Sequence, residues 1–165
     1  MIKGERLVLD IIKNKDQLEM VSLFKNNEIK ETYMIPDYDS DDKYLNLFNK
    51  FVQLSEDKNR FVRGIYLNNL LIGFLNDVEV INKSVELGYV INPLFKNNGY
   101  MTEALKLAIN YLLNNGFDEV ICGAFYFNNA SMRVMQKAGM TLLERTDYVT
   151  YKNKEIKCIY YSIKK

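Results

Sequence analysis

With 165 residues, 48% of them hydrophobic and 26% charged, the chain has the length and composition of one soluble domain with a substantial core. Its formal net charge of +1 creates no strong field for nucleic acid or an anionic membrane, and no apolar run is long enough to span a bilayer. There is no histidine, so a Ser-His-Asp triad, a Cys-His pair and a His-ligated zinc site are excluded, and neither a Walker pattern nor Gly-x-Gly-x-x-Gly occurs.

The opening Met1-Ile-Lys-Gly-Glu-Arg6 has no apolar signal segment, and a cytoplasmic location is the expectation. Arg6 to Ile12 reads as a first strand. Asp16, with Glu19 three residues on, resembles a capping box that opens a helix with Leu18, Val21 and Phe24 inward. Asn26-Asn27 ends that helix. A mixed segment with Tyr33, Met34, Pro36 and Tyr38 leads to Ser40-Asp-Asp42, the predicted start of a second helix with Tyr44, Leu47, Phe48, Phe51 and Val52 at core spacing. Arg60–Leu67 and Leu70–Val80 are predicted strands of a hairpin turning at Asn68-Asn69, and Asn82-Lys83 is a second tight turn. Cys122 and Cys158 each fall in an apolar strand pattern and read as reduced core residues.

The chain is organised around Glu86-Leu-Gly-Tyr-Val-Ile-Asn-Pro-Leu-Phe-Lys-Asn-Asn-Gly-Tyr-Met-Thr-Glu-Ala104. Glu86 to Ile91 is a buried strand that Pro93 stops, and from about Thr102 the spacing of Ala104, Leu105, Ala108 and Leu112 is helical. The intervening Lys96-Asn-Asn-Gly-Tyr-Met101 offers a cation, a residue able to adopt φ > 0 and amides leading into a helix N-terminus, a combination that suits a phosphate. An ordinary strand-to-helix turn would read the same way. Gly116 is the predicted end of the helix. Glu119–Ala124 is a strand, Asn129–Ala138 a short helix with Met132, Met135 and Ala138 inward, and Thr141–Thr150 and Lys157–Ile163 an antiparallel pair around Lys152-Asn-Lys154. Together these make one α/β domain over residues 1–165, with a mixed, mostly antiparallel sheet of about seven strands and helices on both faces. The tyrosine-rich final strands are a surface on which two copies could pair.

On these motifs the chain resembles the GNAT N-acetyltransferase family, in particular the branch with ribosomal-protein N-terminal and polyamine acetyltransferases. Lys96, Gly99 and Met101 occupy the positions of that family's phosphate loop, and Asn128-Asn-Ala-Ser131 followed by Lys137-Ala-Gly139 is similar to the branch's second motif. The resemblance implies the acyl-CoA N-acyltransferase fold and acetyl-CoA as acyl donor, with no metal. It implies that Glu86–Ile91 and Glu119–Ala124 splay apart, often with a bulge on the first, freeing backbone groups of Val90, Ile91 and Asn92 for the pantetheine and thioester. The amides of Asn97, Asn98, Gly99, Tyr100 and Met101, beside Lys96, would hold the pyrophosphate, and Asn128 the pantetheine arm.

The chemistry implied is direct attack of an amine on the thioester, which needs a neutral amine, a stabilised oxyanion and a proton for the leaving thiolate. Glu86 is the candidate base, set against a structural strand carboxylate, with Glu79 and Asp77 behind it. Many family members carry a tyrosine acid one turn into the Asn-led helix; here that position is Met135. Ser131 matches the branch's serine and could serve the thiolate, or cap its helix locally. Tyr33 and Tyr38 are candidates for an acceptor wall, or packing. Asp37, Asp39, Asp41 and Asp42 either complement the following helix dipole or form an acidic rim for a cationic acceptor. The acceptor is a protein N-terminus, a polyamine or a small-molecule amine. A non-catalytic acyl-CoA sensor is the rival reading.

Overall fold

Asparagine turns set the register of the strands in the computed structural model, which covers Met1–Lys165. The strands are β1 (Ile2–Lys3), β2 (Leu7–Asp10), β3 (Val62–Leu67), β4 (Leu70–Ile81), β5 (Ser84–Ile91), β6 (Glu119–Phe125), β7 (Thr141–Tyr151) and β8 (Lys154–Lys164). The helices are α1 (Gln17–Lys25), α2 (Asn27–Lys30), α3 (Asp41–Glu56), α4 (Tyr100–Asn114) and α5 (Asn129–Lys137). Asn68 and Asn69 turn the β3–β4 hairpin at φ +49° and +67°, and Lys152 and Asn153 turn β7–β8 at +50° and +60°. Paired positive φ values match the right-handed twist of the strands they join, and asparagine tolerates them better than most side chains.

All eight strands lie in one sheet of order β1-β2-β3-β4-β5-β6-β8-β7. β1 is an eighth strand that two residues are too short to announce. Every neighbouring pair is antiparallel except β5–β6. One apolar cluster packs α4 and α5 on one face, around Leu75, Leu87, Leu105 and Met135. A second packs α1 to α3 on the other, around Phe24, Phe48, Phe74 and Val90.

Three local expectations change. Asp16 forms no cap bond to α1. Its Oδ2 instead accepts from the Lys13 amide at 2.8 Å and the Tyr66 hydroxyl at 2.6 Å, tying the turn to β3. Leu18 is 78% exposed, and Met20, Leu23 and Phe24 carry the buried face of α1. Helix α4 opens at Tyr100, two residues before Thr102, because Gly99 at φ +76° reverses the chain into the helix as its N-cap. At its far end Gly116, at φ +104°, ends the turn as expected.

Candidate functional site

The sheet opens where β5 and β6 diverge. Their parallel pairing runs from Ser84–Glu119 to Leu87–Cys122 and stops there, although both strands continue. Beyond it, β5 bonds only β4, and the Asn92 amide donates to the Ile72 carbonyl at 2.8 Å. In an antiparallel ladder that bond fixes the alternation: Val90 and Gly88 also turn their peptide groups to β4, while Tyr89 and Ile91 turn theirs to the gap. Of Val90, Ile91 and Asn92, therefore, only Ile91 presents backbone groups to the cleft, and Tyr89 joins it. The expected bulge lies on β4 rather than on β5. Asp77 faces Leu87 and Glu79 faces Glu86, leaving Val78 as the extra residue.

A cleft of about 1010 Å³ follows this gap, lined at one end by Lys96, Asn97 and Gly99 to Thr102. The N–H groups of Asn97, Asn98 and Gly99 have no protein acceptor, and the first closed turn is the Glu103 amide to the Gly99 carbonyl at 3.0 Å. Tyr100, Met101 and Thr102 thus add free first-turn donors at the positive end of α4. Asn97 at φ +63° and Gly99 at +76° bring these groups together. Such a cradle of unpaired N–H donors fits a pyrophosphate. Lys96 also lines the cleft, but its ammonium is ion-paired with Glu28.

Three cations that the sequence did not mark as anion ligands border the loop or the cleft. Arg6 donates to the Asn98 carbonyl at 3.0 Å, stacks over the Tyr100 ring at 4.7 Å and is held by Glu103 at 2.8 Å. Arg133 and Lys137, one turn apart on α5, line the cleft without a carboxylate partner. Their i, i+4 spacing on the outer face of an Asn-capped helix was the available signal.

Asn128 is the cap of α5, its Oδ1 accepting the Ser131 amide at 3.1 Å, which leaves its amide nitrogen for the cleft it lines. Ser131 does not cap locally through its hydroxyl. Its Oγ lies 2.6 Å from the Tyr89 hydroxyl. Met135 is buried in the core, and the tyrosine hydroxyl nearest the start of α5 comes from Tyr89 on β5. Burial pushes the Tyr89 phenol up, so it stays protonated and able to donate; the Ser131 contact opposes this only in part.

Glu86 stands on the other face of β5, towards α2 and β7. It is partly buried, and Arg145 approaches its Oε2 to 3.8 Å. Arg145 reaches it because β7 is irregular between Leu142 and Thr146, where the pairing with β8 slips. The guanidinium lies over the Tyr160 ring at 4.0 Å and bonds Asp147 at 2.8 and 2.7 Å. Burial raises the Glu86 carboxyl above its ordinary value; Arg145 draws it down, while Glu79 and Asp147 push it up. Burial beside this carboxylate also pushes the Tyr160 phenol up to about 12.

Of the weaker candidates, Glu79 lines the cleft opposite Glu86. Asp77 is 4% exposed and paired with Arg60 at 2.6 Å, its Oδ1 without a partner. Tyr33 lines the cleft and donates to Asn76 at 2.5 Å. Tyr38 does not; its ring packs edge-on against Tyr44 at 5.1 Å. The acidic rim is largely neutralised and lies off the cleft: Asp37 pairs with Lys30 and Lys152, both at 2.9 Å, Asp39 with Lys43 at 2.9 Å and Asp41 with Lys25 at 2.6 Å. Both cysteines are free and buried.

Comparison with known proteins agrees with this architecture. The family model "Acetyltransferase (GNAT) domain" matches residues 6–141. The chain is 25% identical over 144 residues to "Uncharacterized N-acetyltransferase YoaA" of Bacillus subtilis (strain 168), covering 84% of this chain and 81% of that protein. Among solved structures it is similar to a GNAT-family acetyltransferase from Bacillus anthracis, with a TM-score of 0.83, 24% identity and coverage of 99% and 97% of the two chains. It is similar also to the microcin C7 self immunity acetyltransferase MccE in complex with acetyl-CoA and AMP, at a TM-score of 0.84, 15% identity and coverage of 98% and 93%.

Proposed function

The chain belongs to the GNAT acetyltransferase family, and on that premise we propose that it transfers the acetyl group of acetyl-CoA to a primary amine by direct attack within a ternary complex. The observation that carries this is one continuous cleft, with the free N–H donors of Asn97 to Thr102 past the end of β5 and the Glu86 carboxylate near its start.

Acetyl-CoA supplies an activated acetyl thioester. The chain's own groups divide the remaining work. The Asn97–Thr102 donors, with Arg133 and Lys137, hold the phosphates, and the Asn128 amide nitrogen and the Ile91 peptide group hold the pantetheine arm. The Tyr89 and Ile91 N–H groups face the gap, where they can stabilise negative charge on the acyl oxygen. Glu86 takes the proton that the amine nitrogen loses as its bond to the acyl carbon forms. Its raised proton affinity suits a base that must compete for an ammonium proton near neutral pH. The hydrogen-bonded Tyr89 and Ser131 hydroxyls return a proton to the sulfur as the carbon–sulfur bond breaks. The products are the N-acetylated amine and free CoA thiol.

The test is thiol release from acetyl-CoA across an amine panel, with the acetylated product identified by mass. A raised melting temperature with acetyl-CoA but no thiol release from any amine would assign the chain instead to acyl-CoA sensing. That rival rested on the absence of a tyrosine at Met135, and the Tyr89–Ser131 pair supplies hydroxyls from another element.

A further inference from the structure

Resting on the acetyltransferase reading, we propose that the acceptor is a primary amine carrying one positive charge on an apolar or aromatic body, with no carboxylate beside the nitrogen. The charge follows from the balance around Glu86. Glu79 stands directly opposite Glu86 across the β4–β5 ladder, an arrangement of like charges that destabilises a sheet. Asp147 adds a third carboxylate, and one guanidinium serves the group. Arg145 gives Asp147 its two close bonds at 2.8 and 2.7 Å and meets Glu86 only at 3.8 Å. Glu79 makes no ion pair. One further cation at Glu79 and Glu86 relieves the repulsion, and an ammonium entering the cleft supplies it.

The body follows from the walls. The same cleft is lined by Tyr33, Met34, Phe125, Val149 and Tyr160. Met34 is half-exposed without contributing to either main core cluster, so its thioether is open to a ligand. Such a surface favours an aliphatic or aromatic group next to the ammonium.

A polyamine needs a second anionic station farther along. The nearby acidic segment does not offer one: Asp37, Asp39 and Asp41 already hold lysines, and neither they nor the unpaired Asp42 lines the cleft. A free amino acid needs a cation for its carboxylate. At this end Arg145 is committed to Asp147 and Lys152 to Asp37, while Arg133 and Lys137 stand on α5 across the sheet. A small arylalkylamine and a peptide N-terminus with a large apolar first residue share the required chemistry.

The experiment measures kcat/KM by thiol release for 2-phenylethylamine, a phenylalanyl-alanine amide, spermidine and phenylalanine. The expectation is that one of the first two exceeds both of the last two by about tenfold or more. Which of the first two is faster distinguishes the small amine from the peptide N-terminus. Glu79→Gln is expected to raise KM for the preferred amine about threefold, as loss of an exposed charge contact does, with the acetyl-CoA thermal shift unchanged. Spermidine or phenylalanine as the better acceptor overturns the proposal and leaves the acetyltransferase reading standing. Acetyl-CoA binding without acetylation of any of the four amines, or of a broader panel, overturns both.

Discussion

The loop from Lys96 to Met101 and the group formed by Glu79, Glu86, Arg145 and Asp147 lie toward opposite ends of β5 in one cleft, and they are made of different materials. The proposed donor end is chiefly backbone: unpaired amides, two positive φ values and the start of a helix, all within one short stretch of chain. The proposed acceptor end is side chains, carried by β4, β5 and β7 and aimed by irregular pairing in β4 and in β7. A backbone cradle tolerates many side chains but not a change of backbone conformation. A side-chain cluster tolerates backbone adjustment but not the loss of its central group.

That contrast orders the expected effects of mutation. The largest is at Glu86. Glu86→Gln is expected to lower kcat by about 10²–10⁴-fold at neutral pH while leaving acetyl-CoA binding intact, with partial recovery at alkaline pH where the amine arrives deprotonated. Unchanged turnover would reduce Glu86 to a structural strand carboxylate. Next is Gly99→Val at the donor end. Valine at φ +76° is strained, so the stabilisation by acetyl-CoA, about 2.7 kcal/mol at a hundredfold excess over Kd, is expected to disappear from a thermal-shift titration.

Tyr89→Phe tests whether the hydroxyl pair protonates sulfur. A fall in kcat of up to about 10²-fold is expected, without the alkaline recovery seen at Glu86, because the defect concerns the leaving thiolate rather than the amine. Arg145→Gln should act on the pH profile. The groups facing Glu86 are Glu79 from β4, Arg145 and Asp147 from β7, and Tyr160 from β8, and only Arg145 lowers its proton affinity. Removing the guanidinium therefore raises the Glu86 carboxyl further, and the acid limb of kcat/KM is expected to move to higher pH. A limb that stays in place would mean that another group titrates. The smallest effect is at the acidic segment. Combined replacement of Asp39, Asp41 and Asp42 by Asn is expected to leave amine KM within about twofold, since Asp39 and Asp41 are already paired with lysines and none of the three lines the cleft. A large rise in KM would restore the steering rim.

Much of the fold was legible because its signals are local. The turns at Asn68-Asn69 and Lys152-Asn153, Pro93 after β5 and the helical spacing of Ala104 to Leu112 each depend on residues a few positions apart. The failures were local in form, and their causes were partly tertiary. Asp16 and Glu19 have the spacing of a capping box, yet the Lys13 amide in the preceding turn and the Tyr66 hydroxyl, 50 residues away, take the Asp16 carboxylate. For Tyr38 the sequence left a site wall and packing both open, and the ring packs on Tyr44.

At the site, the sequence alone marked the strand-to-helix turn whose free amides are proposed to hold the phosphates, since Gly99 at positive φ and a helix start leave their mark in residue type and order. It also placed Glu86, Asn128 and Ser131 on elements that border the cleft. The tertiary structure decided which backbone groups of β5 turn to the gap, because that alternation is set by the register with β4. It decided that Tyr89 meets Ser131 across 42 residues, and that Arg145 reaches Glu86. Those pairings depend on strand order and on where a ladder slips by a residue or two. A one-residue slip moves side chains to the other face and a two-residue slip moves them along the strand, and either leaves almost no trace in local residue spacing.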